Sequence, residues 1–450
     1  MFARLGAERS FLTILVLALL LPLCTSRVRD VPFIGLPLVT SGDEPHYLLM
    51  IHSLIADHDL DLRNNYDAAR AGSVELSVGR VGAPLDHQVA FFDADGKWRN
   101  WDKVFEYPKA ADGKILPAPT QPQLKPGAPP ELLHAPQYSQ HPAGLPLLLA
   151  PVLLPFAGTT WVEHLAVLAS TLATLGTALA LRELFRALTP SLAIANGAAL
   201  LVVLGSPLWH YGRTLFCEPW LALSAVGALA LVVRRDAYFW AGLVLAIGIQ
   251  MKPPFALLAV PLVIDRLLAR KLTQAALFSL PVGLATLLVL WQNQLFFGSP
   301  LRSAQPWESG NPLTGLANVL LSGTHGLIPF CPLVLVALWG FPALLRSHRR
   351  LAWLTLGMAV PYLLLMSLWY CWWGGYCYGP RLITPVIPLL LLGLVPVLDR
   401  FTTLATRARR LIVATSALSL LISALGAIVH LAFWEKHPLV EPFVALAKTL

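Results

Sequence analysis

The sequence predicts an all-α polytopic membrane protein, and three observations predict it. Charged residues make up only 13% of the 450-residue chain, against about 25% in soluble domains. Hydrophobic residues make up 56%, and the mean hydropathy is +0.63. The apolar residues fall in long Leu/Ala/Val-rich runs without the strict alternation of a barrel strand. Lipid offers backbone groups no hydrogen-bond partner, so such runs must cross as helices.

The first run, Phe11 to Leu23, follows Arg4 and Arg9. It is built like a secretory signal, but no small-x-small cleavage site follows it. Bulky Leu23 before Cys24 also rules out a lipoprotein signal. Residues 1–26 therefore read as a cytoplasmic N-terminus and an uncleaved first span. Residues 27–160 read as one large extracytoplasmic loop. The stretch from Arg27 to Gln140 holds fifteen of the twenty-five Asp and Glu residues, and ten prolines fall between Tyr107 and Pro146. Within it, residues 44–56 read as a juxtamembrane helix with Asp43 near its N-cap and Pro45 in its first turn. Tyr47, Leu48, Ile51, Leu54 and Ile55 give that helix an apolar face suited to the membrane surface or to packing under the loop's own fold. A hairpin is expected around Asp95-Gly96.

The remaining spans are expected at 161–181, 190–207, 217–233, 237–250, 254–270, 273–296, 326–345, 351–369, 381–398 and 411–433, about eleven with the first. Residues 434–450 form an outer tail. The short, proline-rich run 142–156 decides the topology. If it lies along the outer surface, the basic clusters Arg182/Arg186, Arg234/Arg235, Arg266/Arg270/Lys271, Arg346/Arg349/Arg350 and Arg400/Arg407/Arg409/Arg410 all fall in the cytoplasm. If it crosses, every one of them inverts, so the first assignment is preferred. The net charge of +8 is thus spent on topology rather than on nucleic acid. None of the five cysteines (Cys24, Cys217, Cys331, Cys371, Cys377) sits in a CxxC or Cys/His zinc pattern; Cys371 and Cys377 could pair if their loop is extracytoplasmic, and two free thiols near the membrane are the preferred reading.

This topology brings the unusual polar residues to the outer face: Asp43, Glu44, His141, His210, Arg213, Glu218, Lys252, Arg302, Glu308, His325 and the stretch Trp372 to Arg381. Ionisable groups at span ends are costly and mark function. Lone cations in outer loops run against the charge bias, so Arg213, Lys252 and Arg381 call for an anion such as a lipid phosphate.

Gly42-Asp43-Glu44-Pro45-His46-Tyr47 in the first outer loop resembles the Asp-Glu motif of the GT-C glycosyltransferases. These include the protein O-mannosyltransferases, the bacterial aminoarabinose transferase and the family 39 membrane enzymes. His141-Pro142-Ala143-Gly144 is similar to their His-Pro entry into a juxtamembrane helix. Gln250-Met251-Lys252-Pro253 and Gly379-Pro380-Arg381 also look like the family's. The resemblance implies a GT-C-type bundle in the bacterial inner membrane with an extracytoplasmic active site. The activity it implies is transfer of a sugar from a polyprenyl-phosphate carrier to an envelope acceptor, which is lipid, glycan or protein. Asp43 is then the general base of an inverting displacement, and Glu44 positions it. Lys252, Arg213, Arg381 and His141 are candidates for the donor phosphate. His46, Tyr47, Glu218, Trp373 and Tyr376 are possible substrate contacts. No cofactor or metal is required by this reading.

Other roles stay open for each residue. Asp43 and Glu44 suit a helix N-terminus for electrostatic reasons alone. Arg213 and Glu218 are close enough in sequence to pair with each other. Lys252 is placed to snorkel, and Trp372, Trp373 and Tyr376 to form an interfacial belt. Asp57-His58-Asp59-Leu60-Asp61 lacks the Gly and Glu of a calcium loop and reads better as a capped turn. A transporter or flippase of envelope precursors is the alternative function; the absence of a visible internal repeat argues against it.

Overall fold

The computed structural model describes residues 2–25, 42–70, 89–92, 98–100, 104–106, 111, 123–159, 161–302, 307–375 and 377–428. The Asp95-Gly96 turn, Tyr376 and the C-terminal tail lie outside the described residues. The described residues are predominantly helical. It divides into two compact units, one drawn from Met1–Pro37, Leu168–Ala285 and Glu308–Leu450, the other from Leu38–Val167 and Thr286–Trp307.

Among the described residues, five helices are long and apolar enough to cross a membrane: Trp161–Leu188, Leu272–Phe297, Arg349–Leu368, Arg381–Asp399 and Thr406–Ile428. Shorter apolar helices include Leu192–Leu204, Tyr238–Met251 and Leu333–Ser347. Together with Phe2–Thr25 and Glu218–Arg235 they make a polytopic helical membrane protein.

In the first unit the N-terminal helix is tied in by Arg182, which donates to Glu8 Oε1 (3.0 Å) and Asn196 Oδ1 (2.8 Å), and by Trp209 Nε1, which donates to the Ala18 carbonyl (3.0 Å). Three expected spans are broken rather than continuous. Residues 254–270 start as a 3₁₀ turn, Pro253–Leu258, before Ala259–Leu268. Residues 326–345 divide into Leu327–Phe330 and Leu333–Ser347. The span Arg381–Asp399 is a succession of four short 3₁₀ and α segments, and 83% of its apolar window is buried. Pro253, Pro332, Pro385 and Pro388 sit at these breaks, where the ring removes a donor and crowds the preceding turn. Pro312–Leu321 is a helix that the sequence reading passed over. Asn311 caps it, accepting from Leu313 N (3.0 Å) and Thr314 N (3.1 Å), and Pro312 occupies its first turn.

In the second unit, strand Val89–Phe92 pairs antiparallel with Trp98–Asn100 and with Tyr138–Ser139. The pairing Phe92↔Trp98 is that of the expected hairpin. Helix Glu44–His52 continues into a π turn, Ser53–Asp57, closed by His58 at φ 62°. This helix was expected to present one apolar face, either to the membrane surface or to the loop's own fold. It is instead buried on all sides from Glu44 to Ile51, with Gly144–Leu153 packed against it. On its polar side His46 is tied through Nδ1 to the Tyr66 hydroxyl.

The acidic stretch that follows is a capped turn. Asp57 Oδ2 accepts from Asn64 (2.9 Å) and Asn65 (2.8 Å). Asp59 accepts from Ser53 Oγ (3.0 Å) and the Asp61 N–H (3.1 Å). Asp61 takes Arg63 Nη2 at 2.6 Å and the Gln137 N–H at 3.0 Å, while Leu62 N–H donates to the Gln137 carbonyl (2.8 Å). This two-way clamp fixes the segment leading to His141.

Candidate active site

In the loop unit the site is built around Asp43. Pro45 fits the first helical turn, where its missing N–H costs nothing. The Asp43 side chain does not cap its own helix. Its Oδ2 lies 3.4 Å from His141 Nδ1, and each residue is 7% exposed. The His141 ring lies 5.3 Å from the ring of His46 and 5.7 Å from that of Tyr47, tilted to both. The His141 N–H donates to Ser139 Oγ (3.0 Å). His46 Nδ1 shares a short hydrogen bond of 2.5 Å with the Tyr66 hydroxyl. Glu44, His46, Tyr47 and Tyr66 are all buried. His141, expected among the phosphate ligands, therefore lies against the carboxylate.

His52, at the end of the same helix, has its pKa pushed by burial down to about 4, against the raising pull of Asp57. The unfolded chain protonates His52 near the ordinary value of about 6.5, before the folded chain does. This group therefore adds nothing to the pH dependence above that value and destabilises the fold progressively as pH falls from there to about 4. Thermal unfolding of the wild type should lose midpoint faster over that window than His52→Gln, and identical curves would refute the assignment.

In the other unit the hub is Glu218, which is 0% exposed. It sits in the first turn of Glu218–Arg235, where a carboxylate suits the helix dipole. Arg381 Nε donates to its Oε1 at 3.0 Å, and Lys252 Nζ lies 3.8 Å from the same oxygen. Arg381 also donates Nη1 to the Gly374 carbonyl (3.0 Å), and its guanidinium carbon stands 4.2 Å from the Phe216 ring centroid. Gly374 takes φ 81°, a left-handed geometry that suits glycine and turns this carbonyl onto the arginine. Lys252 precedes Pro253 and so leaves the helix Tyr238–Met251 in an extended conformation, φ −152° and ψ 99°.

Arg213 and Glu218 were read as possible partners of each other; Glu218 instead joins Arg381 and Lys252 from two other elements. Arg213 lies, 9% exposed, in the turn between His210 and Phe216. Trp373 is 37% exposed, on the turn that precedes Gly374. Cys371 and Cys377 are free thiols.

Sequence reading missed the supports of Arg381. Tyr211 donates its hydroxyl to the Tyr378 carbonyl (2.6 Å), and Tyr378 donates to the Ile422 carbonyl (3.0 Å). The His210 ring stacks on Tyr378 at 4.5 Å, and its Nδ1 meets the Gly426 carbonyl at 2.6 Å. A side chain at Gly426 would collide with the Tyr378 ring, so the helix Thr406–Ile428 needs glycine there. The signal in the sequence was the density of aromatics around Gly-Pro-Arg, which carries no pairing information.

Two solved structures share the architecture. They are crystal structures of ArnT from Cupriavidus metallidurans, one in the apo state and one bound to undecaprenyl phosphate. Each is 14% identical with a TM-score of 0.52 over 95% of this chain, spanning 77% and 76% of those chains. The chain has the GT-C fold. The GT-C resemblance of the sequence motifs thus extends to the whole chain, although no protein-family model and no curated protein sequence matches it. At this identity the likeness carries the fold and leaves residue roles to the local geometry. Within the GT-C fold the two charged clusters differ in character: an acidic, imidazole-paired one at Asp43, and one at Glu218 with two cations on a single carboxylate.

Proposed function

We propose that the chain is an integral-membrane glycosyltransferase that moves a sugar from a polyprenyl-phosphate carrier to a hydroxyl acceptor on the outer face of the bacterial inner membrane. The observation that carries this reading is the Glu218 carboxylate, 0% exposed, which draws Arg381 Nε to 3.0 Å and Lys252 Nζ to 3.8 Å of one oxygen. A guanidinium and an ammonium gathered in one place are the donors that recognise a phosphate. A polyprenyl phosphate presents that group at membrane depth, and one GT-C-fold neighbour holds undecaprenyl phosphate.

In the proposed reaction Asp43 removes the acceptor proton as the acceptor oxygen attacks the anomeric carbon. The bond from that carbon to the phosphate oxygen breaks, and the leaving phosphate keeps the electron pair. One displacement inverts the anomeric centre. Arg213 is a further candidate for the donor phosphate. Glu44, His46 and Tyr47, being buried, support Asp43 more than they touch the acceptor. Trp373, and Tyr376 by sequence, are offered to the sugar.

The test is reconstitution in vesicles with a panel of labelled polyprenyl-phosphate hexoses and pentoses and an envelope extract. The wild type should move label from the carrier to a new product, and Asp43→Asn should not. Label that crosses the bilayer while still on its carrier would instead favour a flippase.

A further inference from the structure

We propose that His141 is the positioning residue of Asp43, a role that rests on Asp43 being the base. His141 Nδ1–H donates to Asp43 Oδ2, holding the carboxylate ionised and turning Oδ1 toward the acceptor hydroxyl. The motif resemblance made His141 a candidate for orienting the phosphate or the acceptor; the geometry sets it against the Asp43 carboxylate, 3.4 Å away, with both side chains buried.

The imidazole reaches Asp43 already oriented. Its backbone N–H is held by Ser139 Oγ, and Pro142 restricts its backbone to extended conformations. Its ring is flanked by His46 and Tyr47, one helical turn beyond Asp43. His46 is in turn fixed by Tyr66. The Gln137 clamp onto Asp61 and Leu62 sets the height of the whole segment. Orienting a base in this way leaves its proton-accepting oxygen without torsional freedom, so less of the barrier is spent on finding the reactive geometry. Of the titratable groups in this unit, His46 and Tyr47 meet the His141 ring, Tyr66 holds His46, and Glu44 follows Asp43 in the chain. Tyr138 lies in the field of Asp61 and Arg63.

The imidazole has a built-in mimic test. An asparagine amide nitrogen reproduces the place of Nδ1, while a glutamine amide reproduces that of Nε2. Infrared titration of the protonated Asp43 carbonyl, assigned by its loss in Asp43→Asn, reads the carboxylate directly and needs no substrate. Loss of the bond in His141→Ala should raise the midpoint of Asp43 protonation by about 1–3 pH units, the range for losing a hydrogen bond or charge that favours the ionised form. His141→Asn should restore it to within about one unit of wild type. Should His141→Ala fail to fold, His141→Gln should show the same shift. In the transfer assay His141→Ala or Gln should lower kcat with KM unchanged, and Asn should recover it. An Asp43 midpoint unmoved in Ala and Gln, or an Asn variant that behaves as Ala does, overturns the proposal. Failure of the wild type to transfer any label would remove the transferase reading while the infrared titration still decides the pair.

Discussion

Asp43→Asn should lower kcat for sugar transfer by about 10²–10⁴-fold, the range for loss of a general base, with little change in donor KM. The amide cannot accept the acceptor proton, but it matches the carboxylate in size and still accepts a hydrogen bond from His141 at Oδ1. The fold around it should therefore persist. The helix Glu44–His52 does not depend on Asp43 for a side-chain cap, which removes the usual structural penalty of a change at that position. A variant that unfolds, or one that turns over normally, contradicts the assignment; the pair of circular dichroism and initial-rate measurements separates these outcomes.

Arg381→Met should destabilise the protein and remove donor binding together. It strips the closest cation from Glu218, which is 0% exposed and 3.0 Å from Arg381 Nε. Breaking a buried pair from one side costs about 3–5 kcal/mol because the remaining charge keeps its desolvation penalty. Lys252 at 3.8 Å offsets part of this, so the lower end is expected. Glu218→Gln on top of Arg381→Met should recover stability but not binding, since the stranded charge is then gone while the phosphate still lacks its arginine. Thermal unfolding in detergent and donor titration measure the two effects separately. Recovery of both by the second change would show that Arg381 serves only Glu218.

Much of this architecture was legible because long apolar runs must form helices where lipid offers no hydrogen-bond partner. The expected spans and the observed helices coincide for Trp161–Leu188, Glu218–Arg235, Tyr238–Met251, Leu272–Phe297 and Arg349–Leu368. The cations Lys252 and Arg381 stood out because the charge pattern assigns them to outer span ends, against the bias of basic residues.

What was not legible was pairing over distance. Glu218 had Arg213 five residues away in sequence as the obvious partner, yet its carboxylate is met by Arg381, 163 positions along. His141 reaches Asp43 through a clamp between Asp61 and Gln137, 76 positions apart, that no local pattern announces. The helix after Asp43 showed an apolar face, but burial of its polar side by His141 and Tyr66 depends on those same distant contacts. The breaks in the span Arg381–Asp399 were visible as prolines and were outweighed by its hydrophobicity.

The most direct test of the central claim is the affinity of the purified protein for decaprenyl phosphate compared with the neutral decaprenol. If the Glu218 cluster holds the donor phosphate, the phosphate lipid should bind far more tightly than the alcohol. Lys252→Met, which is 18% exposed at its side chain and so removable without stranding a fully buried charge, should weaken the phosphate lipid by roughly 10–100-fold, as expected for loss of one hydrogen bond to a charged group. Equal binding of the two lipids, or unchanged phosphate affinity in a folded Lys252→Met, would contradict it.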